Sequence, residues 1–386
     1  MIYIFLLGRN IELSKIEIHS FLKKDGIKIN SSSLRSNGLL IDIDKEIDMK
    51  SLINKLGGAI AIGKVLFQGK LEEILKEIQE NEIYFGTQNK FTYSIINLID
   101  GFSFDRIYNQ IKKKFKEEKL KARYQLIRGL IKTQEGRIIL GSPSKIYRLD
   151  EKYFVFKDKD NYFFGVLKGI YDAKESEEKD MKKPIRRESL SISPRLAKIL
   201  INLSQVKEGE ILLDPFCGIG VILQEALLQN IEVFGADIDP IAVKNCKLNI
   251  SWLEKKYNLT SKYTLINTDS AKLKIGRIDG IATEPFLGKL LKRVPDKKEA
   301  EKMIREFENL MSLVLNNLKK YVKKQGKIVF TSPLIKVKDS RQGINVKRIT
   351  DSTNLKVYSS EDIGFPIEEF RGGQIVGREI FVLNVE

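Results

Sequence analysis

Histidine and cysteine are nearly absent from this chain of 386 residues. The single histidine, His19, leaves no material for Ser-His-Asp chemistry or for a histidine-rich metal site, so no metal is expected. Two cysteines, Cys217 and Cys246, cannot build a zinc cluster or a disulfide framework, and so low a count fits a reduced intracellular compartment. No run of about 18 apolar residues occurs, so no membrane span is expected. The apolar opening Met1–Leu7 is short and lacks a basic leader and a small-residue cleavage site, and it reads as a strand. Internal repeats and low-complexity tracts are missing too.

What is present describes a globular chain. Hydrophobic residues make up 42%, enough to fill real cores, and the length suits two or three domains. There are 67 Lys+Arg against 51 Asp+Glu, a net charge of +16, which favours a polyanionic partner, nucleic acid before membrane. General overuse of lysine accounts for part of that excess.

The clearest composition break is the polar stretch Asp172–Lys183, followed by Pro184, which reads as an exposed linker. Before it the pattern is mixed α/β. Strands are expected at Ile2–Leu7 and Leu39–Ile43, with helices at Glu12–Lys24 and Lys50–Leu56. That opening suits a small ferredoxin-like module. A second unit has a strand at Phe91–Ile99, a helix near Phe104–Glu118, and strands at Tyr124–Leu130, Gly136–Leu140 and Tyr162–Val166. On that helix Lys112, Lys113, Lys114, Lys116 and Lys119 cluster, and Lys121, Arg123, Arg128 and Lys132 follow with Tyr124 among them. A solvated lysine face at the negative end of a helix and a phosphate-binding surface are equally good readings of this segment.

After the linker, strands and helices alternate as in a parallel doubly wound sheet. Strands are expected at Ile211–Leu213, Glu232–Ala236, Tyr263–Ile266, Ile278–Ala282, Lys327–Phe330 and Gly377–Leu383. Helices are expected at Val221–Gln229, after Asp239-Pro240, and from about Lys298, the last ended by Gly326.

Leu212-Leu-Asp-Pro-Phe-Cys-Gly-Ile-Gly220 sits at a strand-to-helix junction, where glycines let the backbone approach a ligand. Val221-Ile-Leu223 follows, so the G-x-G-x-x-G dinucleotide fingerprint is not met. Asp237, at the end of the second strand, is suited to gripping two ribose hydroxyls. Asp269 follows the third strand. Singly each acid reads as a turn or cap residue; three at successive strand ends, where such sheets bind ligands, point to one site.

Asp214-Pro-Phe-Cys-Gly-Ile-Gly220 with Gln224-Glu-Ala226 resembles motif I of class I S-adenosylmethionine-dependent methyltransferases. It is most similar to tRNA guanine-N2 methyltransferases that carry a THUMP RNA-binding domain, including archaeal-type guanosine-10 enzymes. The resemblance extends through Ser193–Leu203 and, more weakly, to Leu7–Ser14 and Leu56–Val65. It implies an α/β architecture: a ferredoxin-like module (1–70), a THUMP module (71–168), a linker (169–185), and a Rossmann-like catalytic domain with a seven-stranded doubly wound sheet (186–386). It implies S-adenosylmethionine held by Asp214, Phe216, Gly218 and Gly220 on the methionine side. Asp237 and Ile238 would lie at the ribose, Asp269 and Ser270 near the adenine. A cytoplasmic monomer acting on tRNA is expected.

The catalytic motif departs from the family. Asp-Pro-Pro-Tyr-Gly is usual there; this chain reads Thr283-Glu-Pro-Phe-Leu-Gly288. The resemblance implies Glu284, Pro285 and Phe286 as the catalytic group. A conjugated exocyclic amine is a poor nucleophile, and a carboxylate hydrogen-bonded to it favours its lone pair and accepts its proton. An aromatic ring stacks on the extruded base, and Phe286 stands one place before the family's tyrosine. No cysteine nucleophile accompanies this motif, and Cys217 reads as a packing residue. Lys289, Lys292 and Arg293 follow directly and favour a phosphate grip beside the base, as do Lys182, Lys183, Arg186 and Arg187 at the linker end. Two other functions fit the residues: methylation of adenine N6 or another RNA amine, and RNA binding without turnover.

Overall fold

The computed structural model describes residues 1–99, 103–127, 130–132, 138–140, 146–186, 192–289, 291–359 and 364–386, with the backbone alone at 130–132 and 138–140. Arg128 and Arg187, both expected on basic surfaces, lie outside the described residues. The chain divides into two units, Met1–Lys15 with Gly26–Ser176, and Ile16–Asp25 with Glu177–Glu386.

The chain opens with β1 (Ile2–Leu7), α1 (Ile11–Lys24), β2 (Ile29–Arg35), β3 (Gly38–Ile43), α2 (Met49–Lys55) and β4 (Ala59–Gly69). It continues through α3 (Leu71–Glu80), β5 (Lys90–Asn97), α4 (Asp105–Glu117) and β6 (Lys121–Tyr124). Then come β7 (Leu130–Lys132), β8 (Ile138–Leu140), β9 (Glu151–Asp158) and β10 (Asn161–Ile170). Eight strands form one sheet in the order β2-β3-β1-β4-β10-β9-β5-β6, while β7 and β8 pair with each other. The period of two along β9 sorts side chains between the faces. Tyr153 and Val155 pack with Ile74, Ile78, Ile107 and Phe115 from α3 and α4; Phe154 and Phe156 pack on the opposite face with Ile4 and Leu6.

One expectation for this part is corrected. The strand expected from Tyr124 ends there instead: β6 begins at Lys121 and runs parallel to β5, with Tyr93 opposite Tyr124. Ala122 and Tyr124 pack against the α3/α4 core, so the strand is anchored by small and aromatic residues between basic ones. The expected linker is helical, α5 (Ala173–Lys182). Asp172 accepts from the N–H groups of Lys174 and Glu175, and Lys182 meets Glu178 one turn away at 3.1 Å. Capping and such pairs favour a helix without requiring an apolar face.

The second unit holds α6 (Pro194–Ser204), β11 (Ile211–Asp214), α7 (Val221–Leu227), β12 (Glu232–Asp237), α8 (Pro240–Tyr257) and β13 (Tyr263–Asn267). There follow β14 (Ile278–Thr283), α9 (Lys297–Leu318), β15 (Val322–Val337), β16 (Ser340–Gln342) and α10 (Val346–Thr353). The chain closes with β17 (Lys356–Val357), β18 (Ile367–Glu369) and β19 (Val376–Asn384). The main sheet runs β13-β12-β11-β14-β15-β19-β17, with β16 against β15 and β18 against β19. The first five of those strands are parallel, as in the doubly wound arrangement expected, whereas β19 is antiparallel to β15. Phe307, Met311, Val314 and Leu318 of α9 bury one face of the sheet against Ile281, Ile328 and Phe381. One boundary is corrected: Gly326 does not end a helix but lies inside β15, where a Cβ would stand 2.8 Å from the Asp279 carbonyl.

Candidate active site

Three acids stand at the carboxyl ends of three neighbouring parallel strands, β12, β11 and β14. In open α/β sheets this is the edge where ligands bind.

Asp214 ends β11 and is 2% exposed. Its Oδ1 accepts from the Thr283 hydroxyl at 2.6 Å and from the Phe216 N–H at 3.1 Å. Burial pushes its pKa up to about 7; the two donors pull the other way, and the charges of Asp237 and Glu284 add to the rise. The loop after it is built around left-handed glycines. Gly218 has φ +51° and open space where a Cβ would stand. Gly220 has φ +85°, and a Cβ there would stand 2.5 Å from the Cys246 sulfur on α8. Gln224 donates to the Gly220 carbonyl at 2.8 Å and ties the loop to α7. Cys217 is buried, as a packing residue would be; the neighbouring Cys246 and burial both push its thiol up, which disfavours a thiolate there.

Asp237 ends β12. Its Oδ2 accepts from the Gly218 N–H and its Oδ1 from the Asp239 N–H, both at 2.9 Å. Each oxygen keeps a second lone pair for a ligand hydroxyl. Ile238 next to it is 72% exposed, an apolar platform beside the carboxylate. Asn267 donates to the carbonyls of Asp237 and Ile238 and so orders this turn; the sequence reading gave it no role. Asp269 caps a short turn through Ala271 N–H, with Lys272 at 3.9 Å. Ser270 is buried and bonds the Pro215 carbonyl, bracing the loop between Asp214 and Gly218.

Glu284 follows β14. Its carboxylate is gripped by Arg378 of β19: Nε–H donates to Oε2 at 2.5 Å and Nη2–H to Oε1 at 2.9 Å. Burial disfavours the guanidinium charge, but Glu284 outweighs it and the net effect on Arg378 is upward. Arg378 escaped the sequence reading; its signal is a charged pair, Arg378-Glu379, inside the apolar run of the last strand. Pro285 is buried and Phe286 is 60% exposed. Phe286 also lines a cavity of about 720 Å³ with Leu287, Lys289, Lys292, Met303 and Phe307.

The expected basic residues differ among themselves. Lys289 and Lys292 are exposed, whereas Arg293 is engaged by Glu299 through bonds of 2.9 and 2.7 Å. In the first unit Lys112, Lys113 and Lys116 are exposed on α4, and Lys121 and Arg123 on β6. Lys114 belongs elsewhere: it is buried, bonded to the Gln79 carbonyl and paired with Glu118. Among the described residues no group of three or more His, Cys, Asp or Glu side chains could hold a metal, and no helix is long and apolar enough to cross a membrane.

Residues 185–332 match a family model described as UPF0020, RMKL-like, methyltransferase domain. A tRNA (guanine(10)-N2)-dimethyltransferase of Methanothermobacter thermautotrophicus is 40% identical over 118 residues, 30% of this chain and 33% of that one. A protein of Methanothermococcus thermolithotrophicus, described as a probable tRNA (guanine(10)-N2)-dimethyltransferase, is 35% identical over 146 residues, 36% of this chain and 79% of that one. The chain thus spans a third of the first of these relatives and most of the second. The crystal structure of TrmN from Thermus thermophilus superposes with a TM-score of 0.54 at 11% identity, covering 100% of both chains; that likeness is one of fold.

Proposed function

The chain belongs to the RMKL-like methyltransferase family, and from that premise we propose that it transfers a methyl group from S-adenosylmethionine to the exocyclic N2 amine of a guanosine in tRNA. The observation that carries the reading is the row of Asp237, Asp214 and Glu284 along one end of the parallel sheet, with Phe286 exposed beside Glu284. The open space at Gly218 and the remaining lone pairs of Asp237 fit a nucleoside carrying a short cationic side chain. Gly218 and Asp214 would face its amino-acid end, Asp237 and Ile238 its ribose, and Asp269 its base. When bound, that group supplies an electrophilic sulfonium methyl.

The chain's own residues prepare the acceptor. Glu284 accepts a hydrogen bond from the substrate amine and turns its lone pair toward reaction. Phe286 stacks on the extruded base, and the adjoining cavity is of a size usual for small-ligand sites. Lys289 and Lys292 neutralise flanking phosphates. Residues 71–168, with the exposed lysines of α4 and β6, act as the RNA-binding module, and the protein works as a cytoplasmic monomer.

The test is nucleoside analysis of tRNA after incubation with the protein and methyl-labelled cofactor. Label in N2-methylated guanosine supports the reading; label in N6-methyladenosine, or none, overturns it. Calorimetry with the cofactor, with binding lost in Asp237→Ala, tests the cofactor site, and methyl transfer itself separates an enzyme from a binding protein that has lost turnover.

A further inference from the structure

Arg378 holds the Glu284 carboxylate from two strands away. It lies on β19, opposite Pro333 of β15, and β15 separates it from β14, yet its side chain reaches Glu284 at the end of β14. Both N–H groups of one guanidinium edge are used, one on each carboxylate oxygen, and the Thr331 hydroxyl stands 3.4 Å from the same Oε2. The two side chains are only 19% and 10% exposed. Ion pairs in water fix little; a two-point contact away from solvent fixes the plane of the carboxylate. Glutamate has one more rotatable bond than aspartate, and such a side chain at a reacting centre needs an outside constraint if its oxygens are to meet an amine reproducibly.

We infer that Arg378 is a positioning residue for the methyl-acceptor amine, locking the Glu284 carboxylate so that the remaining lone pair on Oε1 receives the amine N–H. The inference rests on the methyl-transfer reading above. The guanidinium takes one lone pair from each oxygen and the Thr331 hydroxyl takes the second on Oε2, so one remains on Oε1 and Glu284 stays competent to accept while losing the freedom to turn. Lysine keeps the charge but not the fork, and so separates geometry from electrostatics.

The test combines kinetics with a spectroscopic readout. Arg378→Lys is expected to lower kcat for tRNA methylation about 10- to 100-fold, with cofactor Kd and tRNA KM within about twofold of the parent. In a double-mutant cycle, Glu284→Gln combined with Arg378→Gln is expected to be no slower than Glu284→Gln alone, because the arginine acts only through the glutamate. A purely structural arginine would instead add its own loss and lower cofactor affinity too. Unchanged kcat in Arg378→Lys, or additive losses in the cycle, overturns the inference. Independently of turnover, NMR of the full chain is expected to give a shifted, slowly exchanging Arg378 Nε–H resonance that collapses in Glu284→Gln; persistence in that variant removes the lock. A parent protein that binds cofactor yet methylates no tRNA overturns the functional reading instead, and the resonance then decides the lock alone.

Discussion

The Thr283 hydroxyl donates to Asp214 Oδ1 at 2.6 Å across adjacent strands, joining the residue before Glu284 to the acid at the head of the glycine loop. Both are buried, so the bond has no water to compete with it. Thr283→Val preserves shape and deletes the donor. It is expected to cost about 1–3 kcal/mol of stability, the range for leaving a buried acceptor short of a partner. Chemical denaturation measures the stability, and calorimetry is expected to give weaker cofactor binding for the same variant.

Asp214 also predicts a pH dependence. Its folded pKa of about 7 lies above the ordinary 3.8, so the folded protein holds a proton that the unfolded chain releases. This group's contribution therefore favours folding at low pH, declines as pH rises from about 4 to about 7, and is flat above that. At about 1.4 kcal/mol per unit the decline is on the order of a few kcal/mol. Glu225 and Glu379, also raised by burial, act in the same direction. Urea denaturation of Asp214→Asn across this range is expected to give a visibly flatter curve than the parent.

The two loop glycines should fail differently. Gly220→Ala meets both a left-handed backbone and the Cys246 sulfur, so a loss of about 2 kcal/mol or more is expected, read as a lower Tm. Gly218→Ala has room for its Cβ and pays only for φ +51°, about 1 kcal/mol. Its methyl group fills the space assigned to the cofactor, so its cofactor affinity is expected to fall more than its Tm.

The exposed lysines after Glu284 can be probed by salt titration. Lys289→Ala and Lys292→Ala are each expected to weaken tRNA binding and reduce the slope of log affinity against log salt by up to about 1. Arg293→Ala is expected to change the slope less, because Glu299 already neutralises it. Filter binding at several salt concentrations checks all three.

What could be read from the sequence was local. Asp239-Pro240 announces α8 because cap and first-turn residue lie side by side, and that cap is formed. The strand, glycine loop and helix around Asp214 were legible for the same reason. β2, with Ser31-Ser-Ser33 at its centre, escaped because it is mostly polar; it is a strand because β3 pairs with it. β6 was misplaced because its anchoring side chains become apparent only once α4 and β5 surround them. Arg378 was invisible as a partner because its contact lies 94 residues upstream, a distance no local pattern encodes.

The pairing of β4 with β10 bears on synthesis at the ribosome. When Gly69 has emerged, β1 is already available to one edge of β4, but the strand that covers the other edge is encoded about ninety residues later. At translation rates of roughly 5–20 residues per second that flank waits for several seconds, a window in which a nascent-chain chaperone would find an unpaired strand to shield.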